Sequence, residues 1–136
     1  MSRAGSVREV GQALVEFALV LPFLLVFAVA LILIAEIGVA RLALEHAAAE
    51  GARAGALTND DGRIRGAARA AVRPLDPDSV AIHIEPAQFQ PPRSGDPRGS
   101  ILRVTLDHTV PVPLRFAGLP TLTVHGSAAR LIEWTP

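Results

Sequence analysis

The chain has 136 residues, of which 50% are hydrophobic and 4% aromatic, and its 13 basic side chains, all Arg, are balanced by 13 acids. With no cationic excess to neutralise a phosphate backbone, a nucleic-acid partner is not expected. The absence of Cys excludes disulfides, thiolate chemistry and cysteine-ligated zinc, and leaves the redox compartment open.

Residues 1–11 read as a short charged leader carrying Arg3, Arg8 and Glu9. From Phe17 to Ala35 the sequence FALVLPFLLVFAVALILIA runs nineteen residues without a charge, between Glu16 and Glu36. That length predicts one membrane-spanning helix. The arginines before the run, set against Glu36, Arg41 and Glu45 after it, place the N-terminus in the cytoplasm and the remainder outside it. A secretory signal peptide is the competing reading, but the uncharged run is longer than the usual h-region. Pro22 removes one backbone donor inside the span and predicts a kink or local unwinding, which membrane helices tolerate. A flexible point within the span is its functional version.

A carboxylate costs up to roughly 2.5–3.5 kcal/mol at the centre of a span and less near the interface. Glu16 therefore needs a reason. Either it marks the membrane edge and is hydrated by headgroups, or it meets a positive charge. A positive group near Gln12, four residues earlier on the same helix face, or one on a neighbouring helix in a lateral assembly, would supply it.

The segment Gly11-Gln12-Ala13-Leu14-Val15-Glu16-Phe17 has the form G-x-x-x-x-E-F. It resembles the processing site of type IV pilin-like precursors, specifically those of the Tad (Flp) tight-adherence pilus, in which a prepilin peptidase cuts after the Gly. The continuation VEFALVLPFLL is similar to the start of the TadE-like family, and HAAAEGARAGAL from His46 to Leu57 to that family's second recurring stretch. Beyond Leu57 the likeness is only a loose pattern of short strands. The resemblance implies a minor pilin or pseudopilin taking part in Tad/Flp pilus assembly, processed between Gly11 and Gln12, with Glu16 and Phe17 in assembly contacts. The partners it implies are the lipid bilayer, a prepilin peptidase, and other pilin-like subunits with the Tad assembly machinery. Its expected location is the inner membrane, single-pass, with the pilus as a second destination. A permanently anchored extracytoplasmic binding module, unrelated to pilus assembly, is the alternative.

No turn signal interrupts residues 35–57, so the helix is expected from Gln12 to Leu57, about 69 Å at 1.5 Å per residue and more than twice the hydrocarbon thickness. The segment 12–57 thus reads as a transmembrane and stalk helix, and 58–136 as a small extracytoplasmic α+β domain. Ile37, Ala40, Leu44, Ala47, Ala48, Gly51 and Gly55 share one helix face, and Glu36, Arg41, Glu45, Glu50 and Arg53 the other. Gly51 and Gly55 each cost about 1 kcal/mol of helix propensity, which points to close backbone packing, against the protein's own sheet or against another helix.

A second helix is expected from about Gly62 to Arg73, ended by Pro74, with Arg65, Arg69 and Arg73 on one stripe. That stripe reads as a solvated face, with anionic headgroups as the sharper alternative. Val80, Ile82 and Ile84 then alternate with Ala81, His83 and Glu85 as a strand. Residues 86–100 read as an exposed, Pro-rich loop. Strands over 101–110 and about 121–134 follow, the latter with a plausible bulge near Gly126, and the apolar connection 111–120 covers a small core or touches the membrane. The expected fold class is α+β, pilin-like: the long helix packed on a short helix and an antiparallel sheet of about three strands.

No enzyme is expected. His83 and His125 fall opposite the apolar sets of their strands while His108 continues one, so three ligands do not converge on a metal. Asp107, His125 and Ser127 supply the residue types of a triad without a nucleophile elbow. Neither a phosphate-binding glycine loop nor an H-E-x-x-H motif occurs, so no cofactor and no small-molecule substrate is expected.

Overall fold

The computed structural model describes residues 4–112 and 121–135, with side chains from Gly11 onward. Helix α1 (Ala4–Thr58) and helix α2 (Asp61–Ala71) precede strands β1 (Val80–Glu85), β2 (Ile101–Pro111) and β3 (Thr121–Leu131). The fold is α+β, with a long N-terminal apolar helix, a short helix and a three-stranded antiparallel sheet of order β1-β2-β3. The chain divides into two compact units, one ending at Glu36 and the other running from Ile37.

In the first unit α1 is helical throughout, Pro22 included, and its side chains from Phe17 to Val29 are exposed. By length and composition it is apolar enough to cross a membrane. Residues 1–3 of the expected leader lie outside the described residues.

In the second unit the small-residue face of α1 lies on the sheet. Leu44, Ala47, Ala48 and Ala52 form one core with Ile64, Ala68 and Val72 after them, and with Leu102, Val104, Leu106 and Ile132 from the sheet side. Period-2 burial on β1 and β2 puts Val80, Ile82, Leu102, Val104 and Leu106 inward, as alternation predicts.

The α1–α2 turn follows from its sequence. Asn59 takes a positive φ of 50° and its N–H returns to the Gly55 carbonyl at 2.9 Å, closing α1. Asp60 then caps α2 by accepting from the Arg63 N–H at 2.9 Å. The far end of α1 is held by the chain after β3, since the Glu133 and Trp134 N–H groups both donate to the Ala56 carbonyl. Gly66 sits within α2 with no atom within 4 Å of where a Cβ would be. Gly66→Ala is expected to stabilise the protein by about 0.5–1 kcal/mol in denaturant unfolding, through helix propensity alone; a loss of stability would contradict the open site.

Two expectations are corrected. The β2–β3 ladder pairs every residue one to one from Ile101↔Leu131 to Pro111↔Thr121, so there is no bulge at Gly126. Gly126 is buried instead because α1 crosses it: a Cβ there would meet the Leu44 carbonyl carbon and the Glu45 N at 2.5 Å. Residues 86–100 are also not simply an exposed loop, because Arg93 and Pro97 within them are buried. The connection expected over 111–120 lies outside the described residues from 113 to 120.

Candidate functional site

The residues singled out near the N-terminus all lie on α1. Gly11 has no atom within 4 Å of its missing Cβ, so the backbone there is sterically open. One turn on, the Gln12 amide Nε2 donates to Glu16 Oε1 at 3.2 Å, and both side chains are exposed. The i,i+4 spacing that makes this bond also brings the Gln12 backbone nitrogen to the face that carries the carboxylate. Phe17, next to it, is 63% exposed. Among the described residues Glu16 is hydrogen-bonded only to this neutral donor.

Gly51 and Gly55 lie in the second unit and face the protein's own elements. A Cβ on Gly51 would meet Ala68 Cβ at 3.3 Å and Val104 Cγ1 at 3.4 Å. On Gly55 it would meet the Leu102 side chain and Ile64 Cδ1 at 2.7 Å. Both glycines therefore let α1 approach α2 and β2 at backbone distance.

A polar tie that composition did not flag stands behind this packing. The Arg93 side chain is fully buried, and its Nε donates to Asn59 Oδ1 at 2.9 Å while Nη1 donates to the Pro86 carbonyl at 2.8 Å. Nη1 also lies 2.6 Å from Asp61 Oδ1, a close ion pair without hydrogen-bond alignment. Asn59 returns a bond from Nδ2 to the Arg93 carbonyl at 3.1 Å. The arginine thus pins the 86–100 segment to the α1–α2 turn. A lone Arg in a Pro-rich run gives no periodic signal; the only clue was the unusual Asn-Asp-Asp turn that receives it.

The arginine stripe of α2 is divided. Arg65 is exposed, yet its Nη1 donates to the Ile82 carbonyl of β1 at 3.0 Å, so it also ties helix to sheet. Arg69 and Arg73 are exposed.

On the outer face of the sheet the register sets Asp107 opposite His125. Asp107 Oδ1 lies 2.7 Å from His125 Nδ1, and Oδ2 lies 3.3 Å from His83 Nε2. Each imidazole takes a different carboxylate oxygen, which spends the donors on one another and does not converge them on a common point. Among the described residues no cluster of three His or acidic side chains is arranged for a metal ion. His108, as its parity suggested, lies away from that pair and meets Ser79 Oγ at 3.2 Å.

Residues 11–53 match the family model described as TadE-like protein. The matched segment begins at Gly11, takes in Glu16 and the apolar run, and ends at Arg53, before the sheet. The resemblance read from the two sequence stretches is thus borne out over that segment. No curated protein and no solved structure matches the chain.

Proposed function

We propose, with the TadE-like segment at residues 11–53 as the premise, that the chain is a minor pilin or pseudopilin of a Tad/Flp-type pilus, non-enzymatic, and anchored in the inner membrane by its long apolar helix. The observation that carries the reading is the coincidence of the family segment's first residue with Gly11, where the chain meets its apolar run. Prepilin peptidase cuts between Gly11 and Gln12, and the second unit lies outside the cytoplasm. The new amine on Gln12 replaces a neutral amide donor with a cation beside Glu16, in the same subunit or across to a neighbour. Two charges poorly solvated in lipid then cancel. Other pilin-like subunits and the Tad platform are the assembly partners, and the energy for assembly comes from them.

Intact mass and N-terminal sequence of the protein from its native membrane test this. A start at Gln12 is expected, whereas a start at Met1 or Ser2 sinks processing and favours a permanently anchored binding module. In the same cells Glu16→Gln is expected to leave membrane insertion intact and to lower co-purification with pilin-like partners at least about tenfold, the scale of one lost charge pair in a weakly polar medium. Unchanged co-purification would remove Glu16 from assembly.

A further inference from the structure

Strand β3 lies at one edge of the sheet, and the direction of its free backbone groups follows from bonds at the sheet's ends. The Ile132 N–H donates to the Ser100 carbonyl and the Ile132 carbonyl accepts from the Gly99 N–H, both at 2.9 Å, so even-numbered positions turn their backbone toward β2. The Ile82 carbonyl fits the same parity, because it turns from β2 to accept from Arg65 and leaves its partner Leu106 to bond Gly126. The odd positions from Thr121 to Leu131 therefore hold N–H and C=O outward. Beyond the strand the series continues to Glu133, whose N–H is taken by the Ala56 carbonyl of α1. Among the described residues no backbone group bonds the outward side of β3 itself.

Three of those residues, Thr123, His125 and Ser127, line a groove of about 440 Å³ whose other wall is Ile37, Arg41 and Glu45 of α1. Helix α1 crosses the sheet obliquely. Its backbone lies on β3 at Leu44, against Gly126, and by Gly51 and Gly55 it has reached Val104 and Leu102 of β2. Followed back from Leu44, the helix moves away from β2 and overhangs the free edge of β3 at Arg41 and Ile37, where the sheet has no strand beneath it. We infer that the groove takes a fourth strand: an extended segment of a partner polypeptide that adds to β3 and runs under the overhang of α1. Nothing in this depends on where the leader is cut, since every residue involved belongs to the second unit.

The chemistry of the edge selects this occupant. Outward N–H and C=O groups recurring at every second residue, about 6.8 Å apart, are matched by another extended backbone. Over its eleven residues β3 has no Pro and no bulge, and Arg130 is its one formal charge, so it lacks the devices that keep a free edge unpaired. A second copy pairing β3 to β3 about a two-fold axis is excluded by the overhang. It would bring its own α1 beside this one at the strand spacing of about 4.8 Å, whereas packed helices need about 8–10 Å. The segment therefore carries no helix on the side that faces α1. Its side chains under α1 meet Ile37, Leu122 and Val124 and are apolar, and those on the opposite face lie level with Thr123, His125 and Ser127 and are polar. Arg41 and Glu45 pair with each other at 3.0 Å, so the rim asks no charge of the segment.

The probe is a capped synthetic peptide of about nine residues in which valine alternates with threonine, added to the full-length protein in detergent micelles and read by residue-resolved amide hydrogen exchange. With peptide, exchange at Thr123, His125 and Ser127 is expected to slow at least about tenfold, and exchange at Val124, whose N–H already faces β2, to stay as it was. N-methylating the alternate peptide residues that face β3 is expected to abolish the slowing, and N-methylating the intervening ones to preserve it, a pair that needs no change in the protein. Thr123→Pro removes one outward N–H and no bond to β2, and is expected to weaken peptide binding several-fold in a folded protein. No slowing at millimolar peptide, equal slowing at odd and even positions, or slowing indifferent to which residues are N-methylated overturns the fourth strand. Odd-position amides already protected without peptide also overturn it: protection lost on dilution assigns the edge to a second copy, and protection that survives dilution assigns it to the chain's own residues.

Discussion

Gly126→Ala is expected to cost the folded unit about 3 kcal/mol, the upper end of the range for overpacking, in denaturant unfolding followed by Trp134 fluorescence. The added Cβ would meet the Leu44 carbonyl carbon, the Glu45 N at 2.5 Å and Leu44 Cβ at 2.6 Å. Most of that is helix backbone. A side chain in the way can change rotamer, but a helix can only move as a body, and α1 moving off β3 also loosens Leu44 and Ala47 in the core. Gly51→Ala is the matched control. Its new methyl would stand 3.3 Å from Ala68 Cβ and 3.4 Å from Val104 Cγ1, a mild crowding that a helix-propensity gain of about 1 kcal/mol offsets. Equal effects of the two substitutions would show that α1 does not rest on β3 as described.

Arg93→Ala is expected to cost a similar amount, about 3 kcal/mol, for an electrostatic reason. It leaves Asn59 Oδ1 and the Pro86 carbonyl without their donor, and strips Asp61 of its cation. Buried acceptors without partners cost about 1–3 kcal/mol each, and Asp61, whose side chain is 27% exposed, recovers part of its loss from water. Arg93→Lys is expected to recover less than half. An ammonium on a single stem cannot serve Asn59, Pro86 and Asp61 together as the planar fork does. The 86–100 segment should then open before the unit unfolds, read as faster tryptic cleavage after the exposed Arg98. Cleavage and stability unchanged from the parent would mean that Arg93 is not the tie.

These two positions mark the limit of what could be read in advance. The bulge expected at Gly126 came from a real signal, a glycine inside a strand, and from the two general reasons for one, a register change or a close backbone approach. Only the second holds here, and which one holds depends on an element some eighty residues earlier in the chain. Arg93 was hidden for a related reason: in a segment with four prolines and no periodicity, nothing local separates a buried cation from a solvated one. The Asp107 pairing with His83 and His125 had the right parity in the sequence, but the contact needed the register of three strands.

The features legible from the residues alone are those whose free energy is local and additive. Nineteen uncharged apolar residues carry their own preference for lipid wherever the rest of the chain goes. Asp60 caps whatever helix follows it, and Val80, Ile82 and Ile84 alternate whether or not a partner strand is known. The small-residue face over Leu44 to Gly55 announced a close approach for the same reason, since each glycine in a helix carries a cost that something must offset. Tertiary structure alone decided what approaches: α2 and β2 at Gly51 and Gly55, α1 at Gly126, Arg93 at the α1–α2 turn. Each is a contact between residues far apart in the chain, and packing and burial free energies belong to pairs of surfaces, which no single stretch of sequence contains.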